Sequence, residues 1–254
     1  MLYILAFILG SIWGSFCNVC IYRLPLEQNV MKGRSFCPSC KEQISWFDNI
    51  PFFSFLFLKG KCRKCNIGIS IQYFIVELIS ALSFLLIFYI YGISITALLL
   101  VILSIFFIII FFIDLKHYII PNELTFPLMF IGFVKSFDPN LNQSLFPNYI
   151  NSLIGGLFGY AIIWLIIFFY KTLRNKEGMG LGDAKLIAVV GFWFGWFSIP
   201  FTIFISSVVA LVYSIPSLMN KSRDLSTQIP FGPFIIIGCL IYVLFANQIK
   251  NLFL

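Results

Sequence analysis

The sequence predicts an all-α membrane protein, a polytopic bundle of about eight transmembrane helices. Of the 254 residues, 60% are hydrophobic and only 11% are charged, whereas soluble domains carry about 25% charged residues. The mean hydropathy is +0.98, so the solvent for most of the surface must be lipid. In lipid only helices and closed barrels satisfy their backbone. The apolar runs here are continuous rather than alternating, which favours helices.

Eight apolar runs predict membrane spans, of which the fourth and the sixth are short. The first, Met1 to Tyr22, has no Lys or Arg before it and is followed by Arg23. A secretory signal carries its positive charges in front of the apolar stretch, so we expect an uncleaved first span with the N-terminus outside. The predicted spans are 2–22, 71–91, 95–113, 121–135, 150–170, 184–199, 200–219 and 230–248.

Basic residues supply the orientation. Short cytosolic loops of membrane proteins are enriched in Lys and Arg. With the N-terminus outside, the predicted cytosolic segments hold all of the 17 Lys and Arg residues except Lys135 and Lys250. The formal net charge of +7 is therefore explained by topology, and we expect no nucleic-acid partner. The basic residues of these segments are Arg23, Lys32, Arg34, Lys41, Lys59, Lys61, Arg63, Lys64, Lys116, Lys171, Arg174, Lys176, Lys185, Lys221 and Arg223.

The chain divides into three predicted parts. Residues 1–22 form the first transmembrane helix, residues 23–70 a polar cytosolic insert, and residues 71–254 a membrane-embedded bundle. Two C-x2-C pairs lie within the insert, which is typical of a tetrahedral zinc site. Thiols in the cytosol stay reduced, so free thiols or an iron centre are the alternatives to a structural zinc. The four cysteines are Cys37, Cys40, Cys62 and Cys65. We expect the other three, Cys17, Cys20 and Cys239, to be packed side chains.

Two aspartates stand at the edges of predicted spans, where charged side chains are costly and usually functional. Asp114 follows a long apolar run, and Asp183 follows the glycine-rich stretch Gly178 to Gly182. The topology places both at the same cytosolic depth. Two facing carboxyl groups can share one proton, so that one acts as acid and the other as base toward a water molecule. The alternative is structural: Asp183 as a helix N-cap and Asp114 as a span terminus beside water.

At these residues the chain resembles the bacterial prepilin peptidases, or type IV leader peptidases, which belong to the Gly-x-Gly-Asp aspartyl proteases. Six ordered motifs carry the resemblance over nearly the whole chain. They are Gly14 to Pro25; the two cysteine pairs; Tyr73 with Glu77; Ile113-Asp114-Leu115 followed by Ile120-Pro121-Asn122; Gly178 to Leu186 (GMGLGDAKL); and Ile229 to Pro233.

The resemblance implies that Asp114 and Asp183 are the catalytic pair of a membrane endopeptidase. It implies cleavage of the cytosolic leader of prepilins and pseudopilins at the bacterial inner (cytoplasmic) membrane. It also implies methylation of the new N-terminus with S-adenosylmethionine. The expected partners are these substrates and the lipid bilayer.

A further group of residues is predicted to bind substrate or to support the site. Gly180 and Gly182 allow close approach of the backbone. Lys185 either binds a substrate carbonyl, stabilises Asp183 or extends to the interface. Pro230 to Pro233 either line the cleft beside the aspartates or simply begin a helix. The remaining candidates are Glu77, Asn18 and Arg23, which either act in the reaction or only bind neighbours within the bundle.

Two rival functions remain open at this stage. One is an enzyme that only cleaves or only methylates. The other is a zinc-containing transporter or channel whose aspartates bind ions at a cytosolic mouth, since carboxylates within membranes also mark ion paths.

Overall fold

The computed structural model describes residues 1–31, 35–37, 39–141, 145–174, 179–219 and 229–253. Secondary structure in these ranges is helical, apart from two isolated β-bridges. Five of the predicted cytosolic basic residues, and the first glycine of the Gly-rich stretch, lie outside the described residues: Lys32, Arg34, Lys176, Lys221, Arg223 and Gly178.

The chain forms two compact units, and the first covers Met1–Ile109. It contains α1 (Leu2–Arg23), the short α2 (Phe53–Phe57), α3 (Gln72–Tyr91) and most of α4 (Ile95–His117). Helices α1 and α3 run antiparallel and pack closely because glycine lies at their contact. A Cβ on Gly14 would stand 2.7 Å from Glu77 Cα, and one on Gly10 would stand 2.8 Å from Ala81 Cα. Small residues at helix contacts are typical of packing in lipid.

The second unit covers Ile110–Leu254. It holds the end of α4, then α5 (Asn122–Val134), α6 (Tyr149–Arg174), α7 (Leu181–Phe194), α8 (Ser198–Met219) and α9 (Gly232–Phe253). Helix α7 is its core element, because most of its residues are buried, including Trp193 at 0% exposure. The indole N–H of Trp193 donates to the Leu128 carbonyl of α5 at 2.8 Å.

Helix α6 packs against α7 through a row of small residues. A Cβ on Gly191 would collide with the carbonyl of Gly155. The Ser152 hydroxyl donates to the Phe192 carbonyl at 2.7 Å, which satisfies a carbonyl near the end of α7. At the same end the ammonium of the buried Lys135 donates to the Trp193 carbonyl at 2.9 Å. The C-terminal end of α7 is thus fixed by side chains from two neighbouring helices.

Five helices are long and apolar enough to cross a membrane: Leu2–Leu26, Gln72–Tyr91, Ile95–His117, Tyr149–Leu173 and Ser198–Ile215. The apolar part of α9, Gly232–Ala246, is shorter. Helices α5 and α7, with 13 and 14 residues, fall below the roughly 20 residues of a full span. The all-helical membrane fold is confirmed at this level, and the count of eight spans stays a prediction, as does the orientation.

The boundaries of the helices differ from the prediction around two of the breaks. The predicted sixth span, 184–199, ends early because Gly195 stands at φ 82 and terminates α7 after Phe194. Helix α8 then begins at Ser198, so Pro200 lies in its first turn, where proline is tolerated. Helix α4 continues beyond residue 113 to His117, so Asp114 is inside its last turn rather than after its end.

Candidate active site and metal centre

Asp114 is held by the start of another helix. Its side chain lies in the last turn of α4 and is 4% exposed. Its Oδ2 accepts a hydrogen bond from the backbone N–H of Gly232, the first residue of α9, at 3.0 Å. A Cβ on Gly232 would stand 2.7 Å from that same oxygen, so glycine lets the N–H approach without displacing the carboxyl. The sequence motif Pro230 to Pro233 therefore both begins a helix and contacts the aspartate.

Asp183 occupies the third position of α7 and is 8% exposed. The N-cap of α7 is Gly180, so the predicted alternative of Asp183 as the N-cap is wrong by three residues. Asp183 Oδ2 accepts a hydrogen bond from the Gly180 N–H at 3.2 Å, and the Asp183 N–H donates to the Gly180 carbonyl at 3.2 Å. The carboxyl accepts the N-cap N–H as the third residue of a capping box does, although glycine has no side chain to bond in return, so Asp183 contributes to the start of α7 whatever else it does.

The two carboxyl groups share one buried site within the second unit. Asp183 lies within electrostatic reach of Asp114, and among the described residues neither aspartate forms an ion pair with a basic group. Each is instead bonded by the N-terminal N–H of a helix, Gly232 for α9 and Gly180 for α7. The positive ends of two helix dipoles thus point at the pair, a favourable setting for one shared negative charge.

Ile120 is an apolar side chain that lies between the start of α7 and the start of α9. A Cβ on Gly182 would stand 3.0 Å from Ile120 Cβ, and one on Gly232 would stand 3.2 Å from Ile120 Cδ1. The link from α4 to α5 therefore passes between two glycines. Gly182 is predicted as a site residue, whereas Ile120 appears in the sequence only as part of a family motif.

Lys185 lies on α7, one turn below its start, but contacts α5. Its ammonium donates to Asn122 Oδ1 at 2.6 Å and lies 5.6 Å above the Phe126 ring. No ion pair joins it to Asp183 in the described structure. Asn122, which sequence reasoning did not select, is therefore the group that orients Lys185.

The other three predicted supporting residues lie in the first unit, and each has a local partner. Asn18 Nδ2 donates to the Tyr73 carbonyl at 3.0 Å. Arg23 Nη1 lies 3.2 Å from the Asn29 carbonyl. The buried Glu77 accepts the Phe52 N–H on Oε2 at 3.0 Å. The Asn18 bond joins α1 to α3, and the bonds of Arg23 and Glu77 hold the insert against these two helices.

The four insert cysteines come together as predicted. One sulfur from each of Cys37, Cys40, Cys62 and Cys65 lies within 4.8 Å of the other three, and the Cys37 and Cys65 sulfurs are 3.9 Å apart. In a tetrahedral site with Zn–S bonds of about 2.3 Å, the sulfurs lie roughly 3.8 Å from one another. The donor set and its spacing therefore fit zinc.

The two cysteine pairs lie in two backbone turns of the same form. The Cys37 N–H donates to the Glu42 carbonyl, and the Cys62 N–H donates to the Ile67 carbonyl, each at 2.9 Å. Lys41 and Asn66 then close each turn at positive φ, 57 and 55. The two ten-residue turns, 35–44 and 60–69, share little sequence beyond the cysteines, so sequence reasoning missed the repeat.

Backbone N–H groups beside the cysteines favour the ionised form of their thiols, which is the form that binds a metal ion. The N–H groups of Cys65 and Lys64 lower the pKa of Cys62 to about 7. For Cys65 the Ile67 N–H acts in the same direction, but desolvation and the three neighbouring thiols outweigh it and raise the pKa to about 11. Four close sulfurs lose their protons together only if a metal ion compensates their charge.

The fold and site together define a class. The chain is a polytopic membrane protein with a buried pair of aspartates at the ends of its helices and a separate four-cysteine centre.

Comparison with known proteins then gives the family. Residues 8–91 match the bacterial peptidase A24 N-terminal domain, and residues 101–215 match the type IV leader peptidase family. The prepilin leader peptidase/N-methyltransferase of Aeromonas salmonicida (strain A449) is 32% identical over 278 residues, covering 98% of this chain and 93% of the relative. The protein of that name from Neisseria gonorrhoeae is 36% identical over 253 residues, covering 90% of this chain and 85% of the relative. The chain therefore belongs to the type IV leader peptidase family. No solved structure matches it.

Proposed function

We propose that this protein is a membrane aspartic endopeptidase that removes the cytosolic leader of prepilins and pseudopilins and N-methylates the new N-terminus. Family membership and relatives named prepilin leader peptidase/N-methyltransferase support both activities. The observation that carries the peptidase part is the buried pair of Asp114 and Asp183, which has no basic partner in the described structure.

The proposed reaction uses one proton shared by the two aspartates. The ionised carboxyl takes a proton from a water molecule, and the water oxygen bonds to the scissile carbonyl carbon. The protonated carboxyl donates a hydrogen bond to the carbonyl oxygen while charge develops there. The C–N bond then breaks, and the leaving amine takes up a proton from the pair. The Gly232 and Gly180 N–H groups hold one oxygen of each carboxyl, which leaves the other oxygens for water and substrate.

The substrate must reach this site in an extended form. Helix α7 begins beside Asp183 with the exposed Gly180 and the half-buried Gly182, which present backbone without Cβ atoms. We propose that the leader peptide lies across these glycines with its apolar segment in the bilayer. Lys185, oriented by Asn122, is placed to contact it as a supporting residue.

We further propose that Cys37, Cys40, Cys62 and Cys65 hold one structural zinc ion. Four protein ligands leave no open position for catalysis, and the small insert gains from the metal the stability that a core of its own would give. The methyl donor is expected to be S-adenosylmethionine, as for a methyltransferase. No group of described side chains identifies a site for it, so no residue is assigned to the methylation step.

The proposed topology has eight spans, an N-terminus outside and the aspartates at the cytosolic face of the bacterial inner membrane. The apolar helices support a membrane location, and the distribution of Lys and Arg supports the orientation. Cysteine tags at the N-terminus and in the link after α5, labelled from either side of intact cells, test it. Accessibility of both sites from the outside is expected, because the first helix begins there and α5 returns there.

The proposed catalytic pair is tested by cleavage of a prepilin in proteoliposomes. Asp114→Asn and Asp183→Asn, made separately, should each lower the cleavage rate by on the order of 10³-fold or more, because the dyad loses its proton exchange. Asp138→Asn is the matched control, since this aspartate is exposed in the same unit and only caps a turn.

All variants must insert and bind zinc as the wild type does. Near-normal cleavage by either asparagine variant would make that aspartate structural and remove the proposed mechanism. Altered ion flux in a protein that shows no cleavage would instead favour the rival function of a transporter or channel.

A further inference from the structure

The insert between α1 and α3 contains a stretch that does not suit a water-exposed loop. Residues 50–58 read IPFFSFLFL, with one serine among nine residues. They connect the two cysteine turns and include α2. The sequence prediction of a polar cytosolic insert over 23–70 overlooks this stretch, because the surrounding charged residues dominate its average composition.

This stretch is fastened to two candidate membrane spans. The Phe52 ring centroid lies 5.6 Å from that of Phe7 on α1 and 5.6 Å from that of Phe74 on α3. The Phe55 ring also contacts Phe74 at 5.6 Å. Phe74 stands at the third position of α3, near its predicted cytosolic end. This contact places Phe52 beside the cytosolic end of a membrane helix, and the contact with Phe7 extends into the span.

Phe52 is held there in a strained conformation. Its φ is 61 and its ψ is −54, and the Phe53 N–H bonds back to the Pro51 carbonyl at 2.7 Å. This is a γ-turn of the rare, strained kind. Such strain persists only when the surroundings fix it, and here the fixing groups are the two aromatic rings and Glu77, whose Oε2 accepts the Phe52 N–H.

The opposite face of α2 is exposed and apolar. Phe53, Leu56 and Phe57 are 62%, 64% and 81% exposed. They stand at i, i+3 and i+4, so they form one face of the helix. The backbone behind this face is internally bonded, with the Ser54 N–H donating to the Ile50 carbonyl and the Leu58 N–H donating to the Ser54 carbonyl. A helix with a satisfied backbone is the form of chain that lipid accepts.

Basic residues come directly after this apolar stretch in the chain. Lys59 and Lys61 are exposed immediately after the apolar stretch, and Lys64 stands 3.6 Å from Glu42 as a solvent-exposed pair. Basic residues next to an apolar helix face are attracted to anionic headgroups. Their position beside the helix matches the boundary between acyl chains and headgroups.

We propose that α2 is a membrane-inserted element whose face of Phe53, Leu56 and Phe57 lies among the acyl chains of the cytosolic leaflet. Lys59 and Lys61 contact its anionic headgroups. The occupant of this face is phospholipid rather than a protein, since the stretch that carries the face packs on two candidate membrane spans and is followed by cations. The second cysteine turn begins at Gly60, so the zinc site is carried at the membrane surface.

Hydroxyl-radical footprinting of the wild-type protein tests the proposal without any substitution. The protein is placed in detergent-free nanodiscs of phosphatidylethanolamine and phosphatidylglycerol, and the extent of oxidation is compared between its residues. Phe53 and Phe57 should show little or no oxidation, while Phe47 and Met31, exposed in the same insert at 47% and 84%, should be oxidised. Oxidation of Phe57 at the rate of Phe47 would overturn the proposal.

Photocrosslinking identifies the occupant. A benzoylphenylalanine at position 57 in the same nanodiscs, without and with added prepilin, should give an adduct with the mass of one phospholipid. Position 42, an exposed glutamate in the first cysteine turn, is the control and should give none. Adducts at position 57 with a second copy of the chain or with prepilin, in place of lipid, would show that the face binds protein and would sink the proposal. If the variant at position 57 does not retain zinc, the measurement is repeated with benzoylphenylalanine at position 56.

Discussion

The geometry at Asp114 depends on a residue that has no side chain. The Gly232 N–H reaches Asp114 Oδ2 at 3.0 Å only because nothing projects from the Gly232 Cα. Asp183 is held in a similar way by the Gly180 N–H, but there the added Cβ would lie at an ordinary contact of 3.6 Å. The two aspartates are thus fixed by the same kind of bond, but the glycine that bonds Asp183 has room for an added Cβ and the one that bonds Asp114 does not. The carboxyl that a small change will displace is Asp114.

Gly232→Ala should therefore lower cleavage strongly. The new Cβ would stand 2.7 Å from Asp114 Oδ2, so the carboxyl must move or the start of α9 must shift. Misplacement of a catalytic group by about 1 Å can cost about 100-fold in rate, and we expect a loss of that order in kcat of prepilin cleavage.

Gly68→Ala is the control for this substitution. Nothing lies within 4 Å of a Cβ at Gly68, so its cleavage rate should match the wild type. Equal rates for both alanine variants would show that the site tolerates displacement of Asp114.

At the scale of elements, α7 is the helix on which the second unit depends. Its N-terminus carries Asp183, and its C-terminus is fixed by the ammonium of Lys135 and the hydroxyl of Ser152. The aromatic faces of Phe146 and Trp193 lie 3.8 and 5.3 Å from that ammonium, so the buried cation is compensated by π-systems and a carbonyl. Such an arrangement lets a short helix remain in place although it is too short to span the membrane alone.

Gly191→Ala should loosen α7 and destabilise the second unit. The added methyl group would collide with the Gly155 carbonyl of α6, and overpacking of this kind costs about 1–3 kcal/mol. We expect a clear fall in the thermal unfolding temperature, measured by circular dichroism in detergent micelles. Gly180→Ala, at the start of the same helix, adds a Cβ in ordinary contact and should unfold near the wild-type temperature. A Gly191→Ala protein as stable as this control would contradict the packing.

On the scale of the whole molecule, the two units have different sources of stability. The second unit is built around the buried helix α7. The first unit holds α1 against α3 by glycine contacts. The described residues of its insert include few buried side chains, so the insert should depend on the proposed zinc site and on the contacts of Phe52. Stability within the chain is therefore uneven, as expected for a small metal-dependent region.

Removal of zinc should affect the insert selectively. The double substitution Cys62→Ser with Cys65→Ser should reduce bound zinc from about one ion per chain to none, since two thiolate ligands are lost. Limited proteolysis should then cut within residues 24–71 while fragments of the second unit stay intact. Cys239→Ala, a buried cysteine outside the cluster, should keep its zinc. Retention of zinc by the double variant would show that these cysteines are not its ligands.

The sequence by itself determined the membrane class, the helices to within a few residues and the four-cysteine cluster. Hydropathy is a sum over neighbouring residues, and C-x2-C pairs are local, so both are readable without the fold. The insert between α1 and α3 shows the limit of this reasoning, because its charged residues dominate the average composition and conceal the apolar stretch 50–58.

Only the tertiary structure decided what surrounds the two aspartates. The bond from Gly232 to Asp114 joins residues that lie 118 positions apart in the chain. The contact of Lys185 with Asn122 and the γ-turn of Phe52 against α1 likewise join distant positions or need a backbone angle that no pattern encodes. Such contacts depend on how helices pack, because the space left for one Cβ is set by a neighbour elsewhere in the sequence.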